Sequence, residues 1–215
     1  MRFFGKKKKG EETDYAEDPR KVPDSVGKFG DGSDIDSEIR EKSIRLWDLF
    51  EARKYDEVIK NADILIEEDY DVSRAWYYKA RALYESELYS DALSCIDKSL
   101  VKVVDEDLIQ RPEDIAQRVF WKALTLMRLG KYEDAYYYLD DARKRNTEDR
   151  WLSGQITYSR AVCCAKTGKE DLALTYLSQL TSMHPETREQ LAKDEDFEKF
   201  RDNPRFKEMV KTDNS

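Results

Sequence analysis

Residues 76–104, 119–147 and 157–185 of this chain can be laid over one another without a change of register, and that self-similarity constrains the fold more than any single residue. A repeat near 34 residues is the length of a helix-turn-helix unit, which cannot bury its own apolar face and so stacks on its neighbours. The register is anchored on Ala92, Ala135 and Ala173. Twelve positions earlier stand Ala80, Ala123 and Ala161, and four positions later stand Ile96, Leu139 and Leu177. Five before the anchor come Glu87, Gly130 and Gly168, and three before it Tyr89, Tyr132 and Glu170. At seven after, Ser99 and Ala142 keep a small residue and Leu180 does not.

Helix approach explains the pattern. Two antiparallel helices joined by a short turn come close only where small side chains meet, and a bulky residue nearby fills the remaining gap. Ala80 is expected to face Ala92, Ala123 to face Ala135 and Ala161 to face Ala173. Gly130 and Gly168 fall at the turns, where a left-handed backbone conformation costs glycine little. A weaker copy lies upstream at 42–71: Tyr55 aligns with Tyr89 and Tyr132, while Leu46 and Val58 replace small residues and Ala62 a large one. An end unit with only one neighbour tolerates such departures.

These residues resemble the tetratricopeptide repeat, whose signature runs W-x2-L-G-x2-Y, then A-x3-F, then P. Trp76 stands at the tryptophan position of its unit and Pro185 at the closing proline of the last. Lys79, Lys122 and Arg160 depart from the signature's Leu. The resemblance implies an all-α fold: a right-handed α-solenoid of about four stacked helix-turn-helix hairpins, closed by C-terminal capping helices. The expected units are about 39–72, 73–106, 116–149 and 154–187 within an array over 38–187. Residues 1–37 read as a disordered charged tail, Lys-rich, then acidic, then rich in Gly, Pro, Asp and Ser. Insertions at 107–115 and 150–153 separate the middle and last units, and should lengthen helices or tilt hairpins. The segment 188–215, with Asp194, Asp196, Phe197, Asn203, Pro204 and Phe206, is similar to the closing element after many prokaryotic arrays of this family. Asn203 before Pro204 reads as a helix cap and first helical residue.

In that family the first helices of successive hairpins line a concave face that holds peptides or partner helices, mostly through the fifth, ninth, twelfth and thirteenth residues of each unit. Carried over, the positions are Ser43, Trp47, Phe50 and Glu51, then Tyr77, Arg81, Tyr84 and Glu85. In the third unit they are Phe120, Leu124, Met127 and Arg128, and in the fourth Tyr158, Val162, Ala165 and Lys166. Trp47, Phe50, Tyr77, Arg81, Tyr84, Phe120, Leu124, Met127, Tyr158 and Val162 are the candidate contacts, and their character implies an apolar or amphipathic segment of another protein. Members that clamp a terminal carboxylate place Lys and Asn at the fifth and ninth positions, which this chain does not. Packing between hairpins is an alternative use for Trp47, Tyr77 and Phe120. Phe3 and Phe4, at the front of a tail long enough to span roughly 30–37 Å as a coil, are candidates to fill the groove themselves.

Charge and composition exclude other classes. The chain carries a net −8, with 40% hydrophobic and 39% charged residues, which suits a solvated helical array and argues against general nucleic-acid binding. Phe3, Phe4, Lys6, Lys7, Lys8 and Lys9 offer at most weak contact with an anionic membrane surface. Gly5 and Gly10 have the spacing of a phosphate-binding loop, but Glu11 and Glu12 stand where Lys and Ser or Thr are needed. Asp31, Asp34, Asp36 and Glu38 lack the central glycine of a calcium loop. His184 precedes Pro185 at an expected helix end, and Cys95, Cys163 and Cys164 fall inside helical patterns, as structural residues of a reducing interior do. No metal, cofactor or catalytic residue is expected. The expected role is a cytoplasmic, non-enzymatic adaptor or scaffold, with an assembly subunit packing through its edges, or a peripheral membrane adaptor, as alternatives.

Overall fold

The structure, a computed structural model, describes residues 37–105, 112–146 and 149–211. All regular elements among them are helical. Eight longer helices form four antiparallel pairs: α1 (Ser37–Glu51) with α2 (Tyr55–Glu67), α3 (Val72–Glu85) with α4 (Tyr89–Asp105), α5 (Pro112–Arg128) with α6 (Tyr132–Arg145), and α7 (Arg150–Lys166) with α8 (Glu170–Met183). A short closing region follows: a 3-10 turn (Pro185–Thr187), α9 (Arg188–Lys193), a second 3-10 turn (Glu195–Phe200) and α10 (Pro204–Met209). Each hairpin packs on the next in chain order. The inserted residues are partly taken up as helix, since α4, α5 and α7 run 17 residues while the other five hairpin helices run 13 to 15.

All four hairpins turn in one way. At the third turn the Gly130 amide donates to the Met127 carbonyl at 3.0 Å and the Lys131 amide to the Leu126 carbonyl at 2.9 Å. The paired bonds recur at Arg53 and Lys54, at Glu87 and Leu88, and at Gly168 and Lys169. This is the Schellman arrangement, which satisfies the last carbonyls of a helix and needs a left-handed residue just beyond it. Gly130 and Gly168 fill that place with φ of 74° and 76°, but Arg53 and Glu87 fill it with φ of 59° and 64°. At starts, Asp149 caps α7 by accepting the Leu152 amide at 3.0 Å, and Asn203 caps α10 by accepting that of Arg205 at 2.9 Å.

Small residues draw the paired helices together: Ala80, Ala92, Ala123, Ala135, Ala161 and Ala173 are all buried, as are Leu46 and Val58 in the first hairpin. Three core clusters follow one another along the array. One unites the first two hairpins, a second joins the third hairpin to Leu152, Ile156 and Cys163 of α7, and a third joins the last hairpin to Leu191, Phe197, Phe200 and Phe206.

The three cations that depart from the signature's Leu have a structural use. Lys79 bonds Asp63 of the preceding hairpin, Lys122 meets Asp97 at 2.7 Å and Arg160 meets Asp140 at 3.2 Å. Each couples the seventh residue of one unit to the twenty-fifth of the unit before, so a ladder of ion pairs clips neighbouring hairpins together.

Candidate partner-binding face

The first helices of the hairpins carry the ten candidate side chains, and their surroundings divide them. Phe50, Tyr77, Arg81, Phe120, Tyr158 and Val162 are buried, whereas Trp47, Tyr84, Leu124 and Met127 are half-buried. Six of the ten candidates are thus taken up by packing within the array, the alternative use named above for Tyr77 and Phe120, and four keep part of their surface. Packing takes up the fifth residues Tyr77, Phe120 and Tyr158 and divides the ninth: Arg81 and Val162 are buried, Trp47 and Leu124 half-buried.

Arg81 shows this most fully. Its guanidinium lies 4.2 Å from the ring centre of Phe50 in the first hairpin, 5.4 and 5.6 Å from Tyr77 and Tyr78 in its own, and 5.0 Å from Trp121 in the third. One side chain thus joins three hairpins through the electron-rich faces of four rings. Tyr77 is held from the third hairpin, with Arg118 stacked 4.8 Å from its ring centre and its hydroxyl donating to Gln117 at 3.4 Å. Ser43 is buried and donates to Asp71 at 2.6 Å. Burial pushes the Asp71 carboxyl above its ordinary range, against the pull of Arg74, Ser43 and Arg118.

Around this centre a half-buried aromatic rim remains. Trp47, Tyr84 and Trp121 all pack against the same core cluster. Tyr84 meets Trp121 edge-on at 5.3 Å and Tyr89 at 5.4 Å, and Arg128 bonds the Tyr89 hydroxyl. Burial pushes the Tyr84 hydroxyl up to about 12 even with Arg128 opposing it, so it stays a neutral donor and acceptor at any physiological pH. Trp121 is the residue sequence reasoning missed, because it stands at the sixth place of its unit and the family positions skip that place. Its signal was its sequence neighbour Phe120: two adjacent aromatics on a helix point to different surroundings.

On the last hairpin the same face is covered by the chain itself. Tyr158 donates to Asp194 at 2.8 Å and meets the Phe197 ring edge-on at 5.8 Å. Lys199 donates to the Ala165 carbonyl at 2.7 Å, and Lys166 pairs with Asp196 at 2.8 Å. Residues 194–199 therefore touch three of the four positions the fourth unit was expected to offer. They pack against α7.

The remaining reactive groups are quiet. Cys95, Cys163 and Cys164 are buried free thiols, and burial together with Cys164 pushes the Cys163 thiol up to about 12. His184 ends α8 with Nδ1 3.1 Å from Glu186 Oε1. Among the described residues no His, Cys, Asp and Glu group is arranged to hold a metal, and no helix is long and apolar enough to cross a membrane. Phe3, Phe4 and Lys6 to Lys9 lie outside the described residues.

Stacked helical hairpins with alanine-mediated contacts and one recurring turn define a helical-repeat protein. The family model of the tetratricopeptide repeat matches residues 45–101 and 122–186, more than half of the chain, and the chain belongs to that family. Repeats of this family generally mediate protein-protein interaction and scaffolding, and are typically not enzymes. A comparison with curated proteins finds no match.

Proposed function

We propose that this chain is a non-enzymatic adaptor whose first-helix face holds an apolar or amphipathic segment of another protein. The observation that carries the reading is the half-buried rim of Trp47, Tyr84 and Trp121, continued by Leu124 and Met127 on the third hairpin. Aromatic side chains in that state give up little further entropy on binding and offer large apolar area, as interface anchors do. The segment 188–211 acts as a closing element, its three buried phenylalanines keeping the last hairpin from serving as a docking end. A cytoplasmic setting belongs to the same reading.

Affinity purification with mass spectrometry tests it, using the chain and a variant with Trp47, Tyr84 and Met127 changed to Ala. These side chains are only partly buried, so the variant keeps its helical circular dichroism and loses its specific partners. A variant that folds and retains every partner overturns the proposal.

A further inference from the structure

We propose that the exposed side of α6 is a self-complementary surface through which two copies of this chain associate, their α6 helices antiparallel about a two-fold axis level with Leu139. This surface is separate from the first-helix face. Two features set α6 apart from the other second helices of the array. All four open on acids in the first turn, as the helix macrodipole favours, but only α6 also closes on three cations, whereas α4 has Lys102 and α2 and α8 have none. Tyr137 departs in the same way. Its counterparts two places after the repeat's anchor residue are Lys60, Ser94 and Thr175, and at 69% it is the most exposed large apolar side chain among the described residues. Tyr138 meets its ring edge-on at 5.3 Å and is itself held by Lys122 at 4.1 Å, so the exposed ring stands against a fixed neighbour.

Helical spacing puts these groups on one side. Glu133, Tyr137 and Lys144 form one row along it and Asp134, Asp141 and Arg145 a second beside it, with acids at one end and cations at the other. Turning a second copy end for end brings Glu133 opposite Lys144, Asp134 opposite Arg145 and the Tyr137 hydroxyl opposite the Asp141 carboxylate. Each contact occurs twice, which is the self-complementarity an isologous interface needs. A parallel pair would set acid on acid and cation on cation, so charge fixes the direction. Glu133 and Asp134 are exposed and make no ion pair among the described residues. The cations opposite them are engaged within α6 and can be shared. Asp140 holds Arg143 at 3.4 Å and Arg160 at 3.2 Å besides Lys144 at 2.7 Å, so Lys144 can turn outward without leaving that carboxylate unpaired. Arg145 grips Asp141 through Nε at 3.0 Å, which leaves its two terminal nitrogens for a second carboxylate. One helix per copy buries less than the about 1,200 Å² at which stable complexes begin, so the dimer is weak, exchanging and sensitive to salt.

Sedimentation velocity on the full chain over a hundredfold range of concentration tests it. The expected result is a shift from monomer to dimer that weakens about tenfold between about 50 and 500 mM salt. Four exposed ion pairs at about a factor of two each amount to the same tenfold, so Glu133→Lys with Asp134→Lys should weaken association by at least that much, as should Lys144→Glu with Arg145→Glu. Each of these variants carries one sign of charge at both ends of the face. Mixed in equal amounts, the two should associate with one another, while each keeps its helical circular dichroism. Tyr137→Ser, which places the residue of α4 in α6, should weaken the dimer with every charge intact. The variant with Trp47, Tyr84 and Met127 changed to Ala should dimerise as the unmodified chain does. A chain that stays monomeric throughout overturns the proposal, as does a dimer that both charge variants keep or a mixture that remains monomeric. Loss of the dimer in the Trp47, Tyr84 and Met127 variant alone places the contact on the first-helix face and likewise overturns the α6 pairing.

Discussion

The four hairpin turns set the same backbone task to two kinds of residue, and substitution there separates backbone cost from packing. Gly130 and Gly168 hold the left-handed conformation freely, while Arg53 and Glu87 hold it with a Cβ present. For an L-residue that conformation costs about 1–2 kcal/mol. Glycine loses about 0.5–1 kcal/mol more chain entropy on folding, which offsets part of the gain. Glu87→Gly should therefore stabilise the chain by about 0.5–1 kcal/mol, less a few tenths for the lost surface attraction to Arg128. The reverse change is cleaner. Nothing lies within 4 Å of a Cβ built on Gly168, so Gly168→Ala meets no clash and its cost of about 1 kcal/mol is conformational. At about 2–4 °C per kcal/mol for a chain of this size, the melting temperature rises by about 1–4 °C in the first variant and falls by about 2–4 °C in the second. Thermal melts followed by circular dichroism, with urea titrations alongside, measure both. The turns lie in different hairpins, so the double variant should show the sum of the two shifts. A neutral Gly168→Ala, or a destabilising Glu87→Gly, refutes the assignment of these turns.

The inter-hairpin ladder predicts coupling of about 0.5–1 kcal/mol between Lys122 and Asp97, because the lysine is mostly buried beside the Tyr138 ring while the aspartate is half-exposed. A double-mutant cycle with Lys122→Met and Asp97→Asn measures it, and zero coupling removes the ladder as a stabilising device. Phe197→Ala should cost about 3–5 kcal/mol where the closing region docks. Arrays open from their ends, so hydrogen exchange should accelerate in α7 and α8 while α3 keeps its protection; uniform acceleration contradicts this picture. Asp71 makes one contribution to the pH dependence. Its carboxyl titrates above the 3.8 expected when unfolded, so the folded chain binds the extra proton, and stability falls as pH rises from that value through the folded one. In urea titrations across this range Asp71→Asn should flatten that fall, and an unchanged slope would place its origin elsewhere.

Periodicity made the hairpins legible because alanine spacing is itself the contact: Ala80, Ala123 and Ala161 are small because a helix passes beside them. The turns were half legible. Glycine announced two of them, but Arg53 and Glu87 adopt the same conformation, held by the same pair of backbone hydrogen bonds, and no residue type marks that. Lys79, Lys122 and Arg160 read as departures until the structure paired them, since their partners lie in the preceding unit and at a position the signature does not name.

Exposure was the part the sequence hid, for a geometric reason. On a first helix the fifth and ninth residues border both the concave face and the next hairpin, and spacing alone assigns them equally to either. Size and what the neighbouring element supplies decide the outcome together. At Arg81 the side chain is long enough to bridge from Phe50 to Trp121, so it fills the space a ligand would use, while Leu124 at the equivalent place in the third unit is shorter and stays half-buried. Val162 occupies the same place in the fourth unit and is buried in the cluster that also takes in Phe197. Three residues at one repeat position thus meet three surroundings, set by what each neighbour supplies rather than by the position. What stays half-buried on this face thus follows from side-chain length together with what the next hairpin supplies, and substituting those residues probes the proposed docking face without unfolding the array.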